Sequence, residues 1–300
     1  MKSDIFQRRI TPLNKIDTER LDADNLFEYE DFPATFDVLG PMLHSLFQLH
    51  WQELGLGHIV NGSVLELEFE AAPKACWVYD GYLTVMAQGW HIHLCISENQ
   101  GGPERTNSPE LRQARQVSRA ALYRQLNAQG KPQSWGIQFW NGEGEKMMSI
   151  FLPNPFLGAG EDFLPEHQPD LAKLAVYENL RQIYVLGTMD VPYETNPLTR
   201  PYISVCRSSR CNNGRDWQSV YDAIALELKA ANLDVDLTVA GCLQVCKMGP
   251  IVFYSGDARN REHTWYARVT PDVAKEIITQ HLGRNQRVTR HLYPHQAAQI

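Results

Sequence analysis

The chain has 300 residues, 43% of them apolar and 21% charged. That is an ordinary globular balance; it excludes wholesale disorder and, at about 150 residues per domain, predicts two domains. The net charge of −7 excludes a general nucleic-acid binder, and no stretch approaches the roughly 20 apolar residues of a membrane helix.

The start, Met1 to Arg9, carries no apolar leader, so a cytoplasmic protein is expected. Residues 1 to about 30 are polar and acidic and read as an extended arm. Apolar residues at helical spacing from Phe36 to Leu49 predict a helix that ends near Gly55-Leu56-Gly57. Val64–Glu70 alternates like a strand. Ala75–Tyr79, Tyr82–Met86 and Trp90–Ile96 follow, with Asp80-Gly81 and Gln88-Gly89 as turns. Together they predict an antiparallel meander of about four strands.

Ser108-Pro109 predicts a helix start, with a capping serine and proline at the first position. That helix is expected to run to about Asn127 and to carry Arg112, Arg115, Arg119 and Arg124 as a row, read chiefly as a solvated face. Strands are expected at 135–140 and 147–152, and a last helix over Leu171–Val185. Residues 1–190 are therefore expected to be an α+β domain with an antiparallel sheet. Pro192, Pro197 and Pro201 discourage helix and central strand and mark 191–201 as a linker. The charge changes sign there: residues 1–199 hold 15 basic and 26 acidic side chains, a net of −11, and residues 200–300 hold 13 and 9, a net of +4.

Within the first domain the sharpest chemical feature is His91, His93 and Cys95, alternate positions that share one strand face. Two imidazoles and a thiol suit a transition metal, and Glu98 is a further possible ligand. Same-face neighbours about 6.6 Å apart along a strand reach one ion only by leaning inward, so a groove-lining role is the main expectation. A His-x-His followed by Glu is similar to metal-binding cupins, but the surrounding glycines do not fit that family.

The second domain predicts strand, helix, strand, strand, strand, helix: 202–205, 216–231, 235–239, 250–254, 265–269, then a helix from Pro271 capped by Thr270. A helix joins the first two strands, so they are expected to be parallel. This is the order of a thioredoxin-like fold. Each of the first two strands delivers a cysteine pair, Cys206 with Cys211 and Cys242 with Cys246. Four thiolates are what a 2Fe–2S cluster needs.

Cys206-x4-Cys211, a 30-residue gap and Cys242-Leu-Gln-Val-Cys246-Lys-Met-Gly-Pro250 resemble the thioredoxin-like 2Fe–2S ferredoxins, as does Trp265-Tyr-Ala-Arg-Val-Thr-Pro-Asp-Val273. The resemblance covers about residues 200 to 284. It implies a C-terminal α/β thioredoxin-like ferredoxin domain over 202–284, with a 285–300 tail. It also implies a 2Fe–2S cofactor ligated by Cys206, Cys211, Cys242 and Cys246. Four cysteines also suit zinc, but zinc ribbons favour two-residue spacing. A thioredoxin-type disulfide would need Cys-x2-Cys, which is absent here.

Many soluble ferredoxins are acidic, whereas Arg207, Arg210, Arg215 and Lys247 flank these cysteines. A redox partner with an acidic docking face is therefore expected, either the first domain or another protein. The function expected is an electron carrier, with the ferredoxin domain tethered to a partner-selecting N-terminal domain. The alternative is a redox enzyme whose first domain binds a substrate or second metal and takes electrons from the cluster.

Overall fold

The structure is a computed structural model. It describes residues 6–22, 25–60, 63–102, 105–158, 162–165, 168–208, 216–241, 248–256 and 263–294. The chain is a mixed α/β protein with antiparallel sheets. It forms two compact units: residues up to Asn99 with Pro109–Leu198, and Gln100–Ser108 with Thr199 onward.

In the first unit β1 (Ile16–Arg20) and β2 (Leu26–Phe32) form a hairpin, where an extended arm was expected. The reason lies in β2, whose acids are not solvated. Glu30 accepts hydrogen bonds from Arg181 Nε and Nη2 at 2.7 and 2.8 Å. Asp31, on the opposite face, is gripped by Arg119 at 2.8–3.0 Å and Lys15 at 2.7 Å. Arginines 88 and 151 residues away, with Lys15 nearer in sequence, turn an acidic segment into an interior strand.

Helix α1 (Phe36–Leu49) follows. Beyond it β3 (Gly55–Val60) pairs antiparallel with β4 (Ser63–Glu68). The expected four-strand meander is thus corrected. β4 is an edge of a large sheet, while β5 (Ala75–Tyr79), β6 (Tyr82–Met86) and β7 (His91–Cys95) form a separate three-stranded sheet. The short strands β8 (Gly101–Gly102) and β9 (Arg105–Thr106) pair with each other and group with the second unit.

The helix expected from Ser108 to Asn127 is also corrected. α2 spans only Pro109–Arg115. The chain then enters β10 (Arg119–Leu126), which pairs with β2 on one side and β11 (Pro132–Trp140) on the other. Val117 N–H donates to Cys95 O and Ser118 N–H to Trp140 O, which commits the backbone to the sheet before another helical turn can form. Arg119-Ala-Ala-Leu-Tyr-Arg has good helix propensity, but burial of residues 120–123 on both faces outweighs a preference of a few tenths of a kcal/mol per residue.

Two turns of the same chemistry close the following hairpins. Asn127 Oδ1 accepts from the N–H of Gln129 and Lys131, and Asn141 Oδ1 from Glu143 and Glu145. Gly130 and Gly144 take the positive φ that each turn requires. With β12 (Lys146–Phe151) the large sheet has the order β1-β2-β10-β11-β12-β3-β4, antiparallel throughout.

One face of this sheet bears Glu30 and Phe32, which meet Arg181 and Tyr184 of the helical segment 171–185. That segment joins a 3-10 turn (Leu171–Leu174), α3 (Ala175–Leu180) and a π turn (Arg181–Val185). The other face carries the buried cluster Tyr29, Ala121, Tyr123 and Trp140, with the Arg119 guanidinium 4.2 Å above the Trp140 ring. Beyond the helical segment, Val191, Asn196 and Leu198 are buried, and Asn196 Nδ2 donates to Phe36 O and Asp37 Oδ1.

The second unit holds a four-stranded sheet of order β14-β13-β15-β16. β13 (Tyr202–Cys206) runs parallel to β14 (Asp236–Ala240) and antiparallel to β15 (Val252–Ser255), which pairs antiparallel with β16 (His263–Tyr266). Helices α4 (Trp217–Ala230) and α5 (Pro271–Glu276) are capped by Asp216 and Thr270, whose side chains accept from Gln218 N–H and Val273 N–H. The core joins Ile203, Val205, Val252 and Tyr266 to Val220 and Ile224 of α4 and Val273 and Ala274 of α5. Val288 and Leu292 pack into it too.

Candidate functional site

β13 ends at Cys206, a residue with 0% exposure. The strand is buried throughout, so the cysteine leaves the sheet at a rigid point. Its Sγ lies 3.2 Å from Gly241 O, the residue just before Cys242. Cys206 pairs with Ala240, and Arg207 N–H donates to Ala240 O at 3.0 Å. Cys206 N–H donates to Ile251 O at 3.0 Å, which ties in the chain that returns after Cys246. That return is fixed further: Arg268 N–H donates to Met248 O and Val269 N–H to Pro250 O. Gly241 and Ile251, which stand on either side of the second cysteine pair in sequence, thus both contact Cys206. The other loop starts at Cys206 and finishes at Asp216, the cap of α4.

Of the expected ligands, Cys206 is described; Cys211, Cys242 and Cys246 lie outside the described residues, as do Arg210, Arg215 and Lys247. Arg207 is exposed. The donor set fits an iron–sulfur centre in its chemistry. All four expected donors are cysteine sulfurs, and the one described, Cys206, ends a strand parallel to β14 with Gly241 O against its Sγ.

The first unit does not bring its expected ligands together. His91 and His93 are exposed on β7, with ring centroids 5.0 Å apart. Cys95 is buried, its Sγ donates to Ser97 O at 3.2 Å, and burial pushes its thiol up to about 12. Glu98 pairs instead with Arg112 at 2.6 Å. Among the described residues no three His, Cys, Asp or Glu side chains form a metal-ligating group.

The arginine row is also dispersed. Arg112 and Arg115 stand on α2, while Arg119 and Arg124 lie on β10 and bind Asp31 and Glu28. An open cleft of about 340 Å³, lined in part by Glu98, Arg112, Gln116 and Ser118, had no sequence signal, because the end of α2 after Arg115 creates it.

The profile of a family of unknown function, DUF7676, matches residues 16–186. The chain belongs to this family. The match spans most of the first unit and none of the cysteine-bearing segment. No curated protein matches.

Among solved structures the chain is similar to a thioredoxin-like 2Fe–2S ferredoxin from Aquifex aeolicus, at 24% identity over 31% of this chain and 90% of that one, with a TM-score of 0.28. A protein from Agrobacterium tumefaciens is 16% identical over 52% of this chain and 71% of that one, TM-score 0.34. A heme oxygenase from E. coli is 11% identical over 51% and 36%, TM-score 0.33. No helix among the described residues is long and apolar enough to cross a membrane.

Proposed function

We propose that this protein is an iron–sulfur electron carrier. In this reading residues 202–284 are a thioredoxin-like ferredoxin domain holding one 2Fe–2S cluster on Cys206, Cys211, Cys242 and Cys246. Segment 191–201 links it to an N-terminal domain, residues 1–190, that selects the partner. The observation that carries the reading is the convergence at Cys206. Gly241, the chain entering the second cysteine pair, touches its sulfur, and Ile251, the chain leaving that pair, accepts its N–H. The order strand, helix, strand, strand, strand, helix, with its first strand pair parallel, is compatible with the thioredoxin-like topology.

The cluster, when bound, supplies one-electron transfer. What the described chain supplies is Cys206 at the end of a buried strand, with the Gly241 backbone against its sulfur; hydrogen bonding and burial tune such centres. Arg207, exposed one residue from the ligand, supports docking to an acidic partner face, with contacts weakened by salt over a Debye length of about 8 Å.

The test is replacement of each cysteine. Cys206→Ala, Cys211→Ala, Cys242→Ala and Cys246→Ala, made anaerobically in the full chain, should each abolish the visible absorbance of the cluster. Cys76→Ala and Cys95→Ala should leave it. A variant of the first set that keeps full colour contradicts the ligand assignment.

A further inference from the structure

The three-stranded sheet holds a second chemical group that the electron-carrier reading does not use. β6 and β7 pair so that Thr84 faces His93 and Met86 faces His91. Alternation places both histidines on one face, and both are exposed. Their ring centroids are 5.0 Å apart with planes at 70°.

That spacing can be compared with two imidazoles on one ion. A metal–nitrogen bond of about 2.0–2.1 Å puts each ring centre about 3.2 Å from the metal. The two centres are then about 4.5 Å apart for a right angle at the metal and about 5.2 Å for a tetrahedral one. The observed spacing of 5.0 Å falls inside this range.

His93 is also held in place. Its Nδ1 lies 2.8 Å from Thr84 Oγ1, and Thr84 is itself buried at 5% exposure. With Nδ1–H donating to the hydroxyl, Nε2 keeps its lone pair, the outer-shell arrangement that fixes ligand imidazoles. Cys95, next on that face, is turned to Ser97.

We propose that His91 and His93 are paired ligands for a late first-row divalent ion, with water completing its coordination. Imidazole donors suit zinc, nickel and copper, and two protein ligands leave positions open. The site lies wholly in the first unit and is independent of what the four cysteines hold.

The test uses the full chain as purified, whatever its four cysteines hold, labelled with ¹⁵N-histidine and titrated with Zn(II). The expected result is that the Nε2 resonances of His91 and His93 move together and saturate at a single further equivalent of zinc. His91→Gln and His93→Gln should each remove that equivalent, and Thr84→Val should weaken it about tenfold, as loss of an outer-shell partner does. Both histidines are exposed, so the Gln variants should keep the wild-type circular dichroism and melting curve. Movement of one ring without the other, or an unchanged zinc equivalent in either folded Gln variant, would overturn the proposal.

Discussion

Lowering the pH from 7 to 4.5 should destabilise the second unit through His281. This residue is 7% exposed, with Nδ1 2.9 Å from Tyr266 Oη and its ring edge-on to Tyr254 at 5.0 Å. Burial, and secondarily Arg287, lowers its pKa from 6.5 to about 4. The folded form therefore holds the imidazole neutral, while the unfolded chain takes a proton from about pH 6.5 downward.

The stability at stake is intact above pH 6.5 and is lost progressively between there and pH 4. At about 1.4 kcal/mol per pH unit, the fall to about 4 corresponds to about 3 kcal/mol in full and about 2 kcal/mol by pH 4.5. The assay is urea unfolding of the wild type and His281→Leu at pH 7, 5.5 and 4.5. Loss of the Tyr266 hydrogen bond offsets the variant equally at every pH, so the comparison rests on slope. The wild type should lose about 2 kcal/mol more than the variant over this interval. Identical slopes would refute the reasoning.

Asp31→Ala should cost about 2–3 kcal/mol, below the 3–5 kcal/mol of a fully buried broken pair, because Arg119 and Lys15 are 26% and 56% exposed and recover some hydration; denaturant unfolding checks it, and a cost under about 0.5 kcal/mol contradicts it. Gly136→Ala would place a Cβ 2.5 Å from the Tyr123 ring and 2.6 Å from Ile150 O. About 1–3 kcal/mol of overpacking follows, visible as a lower urea midpoint with an unchanged slope.

What the sequence made legible depended on whether local pattern and tertiary environment agreed. The helical segment 171–185, the helix starting near Asp216 and the Thr270 cap could be read directly, because periodicity and capping chemistry act within one or two turns. β10 was misread because Arg119–Arg124 has helical propensity, and its strand state depends on β2 and β11, which are remote in sequence or lie beyond a turn. The turn Asn127-x-x-Gly130, repeated at Asn141-x-x-Gly144, was the local signal that marked a hairpin there.

β2 was misread because its acids find arginines 88 and 151 residues away, and a single sequence does not reveal pairs at such range. At the proposed cysteine site, the expectation of a cluster rests on residue type and spacing. The contact of Cys206 with Gly241 needed the parallel register of β13 and β14. In the first unit, alternation correctly grouped His91 with His93. It could not show that Cys95 turns inward.

The central claim is tested most directly by the iron, acid-labile sulfide and zinc content of the full chain purified without oxygen, with the electron paramagnetic resonance spectrum of the dithionite-reduced protein recorded on the same sample. A 2Fe–2S centre on four thiolates predicts about two iron and two sulfide per chain and a one-electron-reduced signal that disappears in Cys206→Ala. Stoichiometric zinc with no acid-labile sulfide and no such signal would contradict the account.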